Sequence, residues 1–227
     1  MPNSALGLLE RVRRFAMPEG PVECRGTWLR QQGEMRFAPD HPWLPFDAEE
    51  WFEGDGIDFR WEARVRMAPL LRAEVVDEYE AGRGRLVARI LGIIPLARSQ
   101  GPVADKGEAL RGLSEIPWRP FGFRESPRFI WDAPAADRLR AHFNDGRTQV
   151  TGEFEVDAEG RVLGGGASSR PRMVGKSVVD TAWSGAFREY HLFEGLRVPT
   201  AAEATWNMPE GPFTYWRGRV TEFRVLR

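Results

Sequence analysis

Ile57-Asp58-Phe59-Arg60-Trp61-Glu62-Ala63-Arg64-Val65-Arg66-Met67 is the stretch that decides the fold class. Its apolar residues, Ile57, Phe59, Trp61, Ala63, Val65 and Met67, alternate strictly with Asp58, Arg60, Glu62, Arg64 and Arg66. Successive side chains of a strand point to opposite faces, so this pattern specifies one long strand with a buried face and a wet face. One-sided burial is the habit of antiparallel sheets; strands of parallel sheets are covered on both faces and are apolar in every position.

Working upstream, Asp55-Gly56 is a tight-turn dipeptide that joins this strand to Trp43–Phe52 as a hairpin, and an earlier strand runs through Gly26–Phe37. Downstream, Ala73–Glu80 runs into Gly82-Arg83-Gly84 and then Arg85–Ile94, again with hairpin chemistry. Ile90, Leu91, Ile93 and Ile94 make the end of that second arm apolar in both phases, which predicts cover on both sides. Ser99–Gly107 is expected to be a loop. Leu110, Leu113 and Ile116 give Glu108–Ile116 a helical spacing ended by Pro117, a candidate covering helix.

Phe129–Trp131, Arg138–Asn144 and Thr148–Val156 continue the series, the last two joined by Asp145-Gly146. Gly164-Gly165-Gly166 argues against a strand at that point. Ser184–Phe193 and Leu196–Met208 meet at Glu194-Gly195, and Pro209-Glu210-Gly211-Pro212 turns the chain into a last strand, Phe213–Leu226. Residues 1–17 form an amphipathic helix, with Leu8, Leu9, Val12, Phe15 and Ala16 at helical spacing and Glu10, Arg11, Arg13 and Arg14 between them. About ten strands on hairpin-length connections predict a mainly β, single-domain chain over residues 1–227. The sheet is expected to be curved and antiparallel, or a half-barrel, with the covering helix near 108–116.

Composition narrows the chemistry. The chain has 227 residues and a formal net charge of -1, without the one-signed charge that nucleic-acid binding needs. Lysine occurs only at Lys106 and Lys176, so nearly all the positive charge is arginine, which suits forked carboxylate or anion recognition as well as a solvated face. Cys24 is the lone cysteine, which excludes an intrachain disulfide and a two-cysteine metal site. With no secretory apolar core and no transmembrane segment in the sequence, a cytoplasmic placement is expected. His41, His142 and His191 are far apart, and no metal-ligand spacing, nucleophile elbow or phosphate-cradling glycine motif occurs. Neither a metal nor a cofactor is expected. Glu49, Glu50, Glu115, Glu153, Glu189 and Glu203 leave a carboxylate pair for acid–base work open.

Several segments carry a resemblance. Gly185-Ala186-Phe187-Arg188-Glu189-Tyr190, Gly195-Leu196-Arg197-Val198-Pro199, Trp206 and Pro209 through Gly218 are similar to the C-terminal signature of a bacterial family of unknown function, DUF6544, also called DUF6920. Trp43–Glu49, Arg64–Pro69, Asp77–Gly84 and Gly107–Glu115 with Trp118 match it upstream in the same order, while Pro117 and Phe121–Phe123 depart from it. The resemblance implies no activity and no catalytic residues.

The leading expectation is a binding protein that holds an apolar or amphipathic, lipid-like small molecule, because large aromatics on alternating strands exceed what a two-layer core needs. The candidate ligand-binding residues are Arg111, Glu115, Arg170, Glu203, Trp206, Tyr215 and Arg217. On the last strand, Tyr215 and Arg217 share a face if no bulge intervenes, so Arg217 is expected inside, neutralised by Glu203 or Glu115. Two other readings stand beside this one. The first is an enzyme using carboxylates and Arg217 or Arg170 on a small polar substrate. The second is an interaction module that exposes Leu91–Leu96.

Overall fold

The alternating stretch folds as the strand Phe59–Ala68, with Phe59, Trp61, Ala63 and Val65 buried and Arg60, Glu62, Arg64 and Arg66 exposed. The computed structural model describes residues 5–54, 56–175 and 177–227. Within them the order is α1 (Ala5–Ala16), β1 (Gly26–Met35), β2 (Leu44–Glu53), β3 (Phe59–Ala68), β4 (Leu71–Glu80), β5 (Arg83–Ile90), β6 (Ile94–Gln100) and α2 (Pro102–Ser114). There follow β7 (Phe129–Ala135), β8 (Arg138–Asn144), β9 (Gln149–Val156), β10 (Val162–Val174), β11 (Ser177–Phe193), β12 (Leu196–Met208) and β13 (Gly211–Leu226).

All of these strands belong to one antiparallel, unclosed sheet in the order β6-β5-β4-β3-β2-β1-β13-β12-β11-β10-β9-β8-β7. Every neighbour is a hairpin partner except β1 and β13, where the N-terminal strand pairs with the last one and joins the two meanders. The expected mainly β, hairpin-built sheet is therefore what forms. Its curvature follows from α2, which packs on β4, β5 and β6 at one side and on β9 and β10 at the other. Seven strand spacings separate β4 from β10, roughly 34 Å along a flat sheet. A helix about 10–12 Å across can touch both only if the sheet curls around it. At Gly112 this approach is so close that a Cβ would lie 2.3 Å from the Ile57 carbonyl oxygen.

Four expectations need correction. The covering helix begins at Pro102, because Pro102 occupies the first helical turn, where a missing N–H costs nothing; Pro117 lies in a separate 3-10 turn, Ile116–Trp118. The expected loop at 99–107 gives way to the end of β6 and the start of α2. The arm through 85–94 is not covered on both sides: Leu91 and Gly92 take positive φ and reverse the chain, leaving Leu91, Ile93, Ile94 and Leu96 exposed at the tip and edge strand. Gly164, Gly165 and Gly166 lie inside β10, where a Cβ on Gly166 would meet the Trp183 carbonyl oxygen at 2.2 Å. Glycine is there for close approach between strands, not for looseness.

Most remaining boundaries hold within two residues, but β11 begins at Ser177, seven residues before the expected Ser184, and β7 runs on from Trp131 to Ala135. Ala81-Gly82 turns β4 into β5 with φ of 49° and 80°, the positive pair of a type I′ hairpin. Asp55 of the expected turn dipeptide lies outside the described residues, and the β2–β3 pairing closes at Phe52 opposite Phe59. Among the described residues no helix is long and apolar enough to cross a membrane.

Candidate functional site

The site grows from one row of side chains across the inner face. Glu50 on β2 lies directly opposite Trp61 on β3, and Trp61 lies opposite Asp77 on β4. Both acids fall in the apolar phase of their strands, between Ala48 and Phe52 and between Val75 and Tyr79, so the sheet carries them inward. Glu50 is fully buried and Asp77 is 6% exposed. α2 lays Arg111 over this row.

Arg111 donates through its three nitrogens to three carboxylates: Nη2 to Glu50 Oε1 at 2.8 Å, Nη1 to Asp77 Oδ2 at 2.6 Å and Nε to Glu115 Oε1 at 2.8 Å. Its guanidinium stacks 4.7 Å from the centre of the Phe59 ring and 5.1 Å from Trp61. Gln31 on β1 completes the row, donating to Glu50 Oε2 at 3.2 Å and accepting from Trp61 Nε1 at 2.9 Å. Arg170 on β10 approaches from the other side. Its Nε donates to the Gly107 carbonyl at 3.1 Å, its Nη2 lies 3.5 Å from Glu108 Oε2, and its guanidinium sits 4.6 Å over Trp183. Tyr215 OH accepts from Trp183 Nε1 at 3.1 Å and stacks its ring on Trp206.

Four carboxyls thus surround two guanidinium groups in a buried space, and their protonation follows. Burial, reinforced by the neighbouring Glu115 carboxylate, pushes Glu50 well above the usual carboxylate range. Burial and the facing Asp77 push Glu108 up to about 8, against the opposing pull of Arg170 and Arg111. Glu115 is also raised by burial, with Arg111 opposing. Two carboxylate oxygens, Asp77 Oδ1 and Glu115 Oε2, are buried with no hydrogen-bond donor.

Beside this cluster, between α2 and the concave face, lies a cavity of about 410 Å³. Trp61, Trp118, Trp183, Trp206, Trp216 and Phe187 supply much of its wall, with Val75, Leu86 and Met35, while Asp77, Glu108, Glu115, Arg111 and Arg170 supply the polar part. Trp118 is held by a hydrogen bond from its Nε1 to the Pro199 carbonyl at 2.9 Å. Val103 and Met173, both exposed, line the cavity at its rim.

Six of the seven candidate residues, Arg111, Glu115, Arg170, Glu203, Trp206 and Tyr215, line this cavity. Arg217 does not. It lies on the outer face with its side chain 52% exposed, paired with Glu34 of β1 and stacked 4.5 Å over Trp43. The reason is a bulge: Ala204 pairs with Trp216 and Thr205 with Thr214, so Tyr215 is an extra residue. Tyr215 and Trp216 both line the cavity, and the alternation is reversed from there as far as a second irregularity at Thr221, beyond which Phe223 and Val225 are buried again. Glu203 carries its carboxylate outward too, pairing with Arg188 at 3.0 Å and not with Arg217. Asp77, Glu108 and the tryptophans at 61, 118, 183 and 216 are the participants that the sequence reading left out, and Glu50 was named there only among the scattered carboxylates. For Glu50 and Asp77 a signal existed, an acid standing in the apolar phase of a strand.

His142 pairs with Asp132 on the sheet surface at 2.8 Å, Cys24 is a free thiol, and no cluster of metal-ligating side chains forms among the described residues.

Solved structures share the architecture. A domain described as an outer membrane lipoprotein-sorting protein from Vibrio parahaemolyticus matches with a TM-score of 0.54 at 10% identity, covering 97% of this chain and 93% of that one. A LolA superfamily protein from Nitrosomonas europaea matches at 0.51 and 9% identity, covering 99% and 94%. A DUF1329 family protein from Desulfovibrio piger matches at 0.52 and 10% identity, covering 97% and 91%. At such identity the likeness is one of fold. No curated protein matches by sequence. The model of a family of unknown function, DUF6544, matches residues 9–218, and the chain belongs to that family.

Proposed function

We propose that this protein binds an apolar or amphipathic small molecule in the cavity between α2 and the concave sheet. The observation that carries the reading is the wall itself: aromatic and aliphatic side chains from β1, β3, β4, β5, β11, β12 and β13, with the buried charged groups gathered in one cluster. Cavities of several hundred cubic ångströms with this division of labour suit ligands whose apolar body provides affinity and whose polar end sets orientation. The fold shared with a domain described as lipoprotein-sorting supports the reading by analogy.

Native mass spectrometry after gentle purification, with displacement of an environment-sensitive dye by compounds of matched chain length and varied head group, tests it. A retained ligand or saturable displacement is expected, and Trp206→Ala should weaken it. Absence of both removes the proposal. The enzyme reading has one feature in its favour, the Glu108 carboxyl raised to about 8, where a general acid or base works near neutrality. Against it, all three Arg111 nitrogens are already engaged by protein carboxylates. The cytoplasmic placement belongs to the same proposal and is tested by fractionation of the native host.

A further inference from the structure

The polar end of the cavity carries more acid than base. Asp77, Glu108 and Glu115 line it, with Glu50 buried alongside, and only Arg111 and Arg170 lie among them. Fully ionised, these four carboxylates would exceed the two guanidinium groups paired with them by two negative charges, in a largely buried space. The exposed Arg98 and the half-buried Arg172 also line the cavity, but neither pairs with these carboxylates.

Building on the cavity reading above, we infer that the ligand is an organic cation: an ammonium or comparable positive group on an apolar frame, its charge against Asp77, Glu108 and Glu115 and its frame against the tryptophans. Three observations support this. The first is the charge count. The second is the pair of buried acceptors: Asp77 Oδ1 and Glu115 Oε2 meet no N–H or hydroxyl, their residues are 6% and 9% exposed, and Asp77 and Glu115 have only the carboxyls of Glu108 and Glu50 beside them to share a proton. A donor or a positive charge satisfies such oxygens, whereas an anionic head would add acceptors beside them. The third is the aromatic wall. Arg111 already lies over Trp61 and Arg170 over Trp183 and Trp206, so these ring faces accept cations.

Protons provide the excess charge when no ligand does. Glu108 faces Asp77 on β4, Arg170 on β10 and Arg111 on its own helix, and Glu50 faces Gln31 on β1, Asp77 on β4 and Arg111 and Glu115 on α2. Both carboxyls hold protons far above the ordinary carboxylate range. An entering cation favours the ionised forms, so below about pH 8 it must expel protons that at higher pH are already gone. Affinity for a cation therefore rises with pH, and affinity for an anion falls.

The test is calorimetric titration of the full chain with octyltrimethylammonium, octanol and octanoate at about pH 6 and about pH 9. The cation should bind on the order of ten-fold more tightly than octanol at the higher pH, octanoate most weakly. The cation should also bind several-fold more tightly at the higher pH than at the lower, with proton release seen as heats that depend on the buffer. Glu115→Gln should reduce the preference for the cation while leaving octanol binding in place. Asp77→Asn should do the same wherever circular dichroism shows it folded. Octanoate binding as tightly as the cation, or cation affinity that is flat or falling with pH, overturns the inference while leaving the cavity reading intact. If none of the three probes binds, both fall.

Discussion

Arg111 is the residue on which the interior depends. Its side chain is mostly buried, and it donates to carboxyl groups from β2, β4 and the end of its own helix at once. Removing one partner of a buried ion pair strands the other, and here three would be stranded. Arg111→Met should destabilise the fold by about 3–5 kcal/mol, measured by urea denaturation. Restoring stability by adding Glu50→Gln to that variant would show that stranded charge, not lost packing, is the cause. Glu108 makes a different prediction. Its carboxyl rises from an ordinary value of 4.5 to about 8 on folding, so the folded state binds the proton more tightly than the unfolded chain does. That contribution is complete below about pH 4.5 and is lost as pH rises to about 8. Melting temperature should therefore fall across that window, and Glu108→Gln should flatten the decline; a wild-type profile that rises between pH 5 and 8 would refute the assignment.

At the scale of elements, the covering helix and the last strand each carry a feature that local sequence disguises. α2 contains Gly107 and Gly112, and on helix propensity alone either would gain about 1 kcal/mol by becoming alanine. Their surroundings differ. A Cβ at Gly107 meets nothing within 4 Å, while one at Gly112 meets the Ile57 carbonyl at 2.3 Å. Gly107→Ala should thus stabilise by about 0.5–1 kcal/mol, and Gly112→Ala should destabilise by about 1–3 kcal/mol because backbone must shift. Thermal and urea unfolding of the two variants checks the pair, and equal effects would mean that α2 does not sit where it is placed. On β13 the bulge at Tyr215 brings two adjacent aromatics to one face and sends Arg217 out to Glu34. Arg217→Ala, at an exposed ion pair, should cost no more than about 1 kcal/mol.

Across the whole molecule, two meanders are joined through β1 and β13 and bridged by α2, so neither half completes the interior without the other. A single cooperative unfolding transition, coincident by circular dichroism and tryptophan fluorescence, is expected, and resolved transitions would show two folding units. At the sheet's end, Ile93 stands 77% exposed on the tip between β5 and β6, so Ile93→Glu should change stability by no more than about 0.5 kcal/mol. If that tip mediates self-association, light scattering of this variant will show it lost. Sequence alone determined most of the strands, though not β6 and β10, and the mainly β antiparallel class built on hairpins, because period-two alternation and turn dipeptides are local properties of the chain. It also named Arg111, Glu115, Arg170, Trp206 and Tyr215, which the structure gathers on one wall. Only the tertiary structure decided that Glu50 and Asp77 meet Arg111, residues 61 and 34 positions away, since register and curvature bring them together. It also decided the side on which Arg217 lies, because a bulge is a relation between two strands: one extra residue on β13 reverses the side chains that follow, as far as a second irregularity at Thr221, and nothing in the single strand records that.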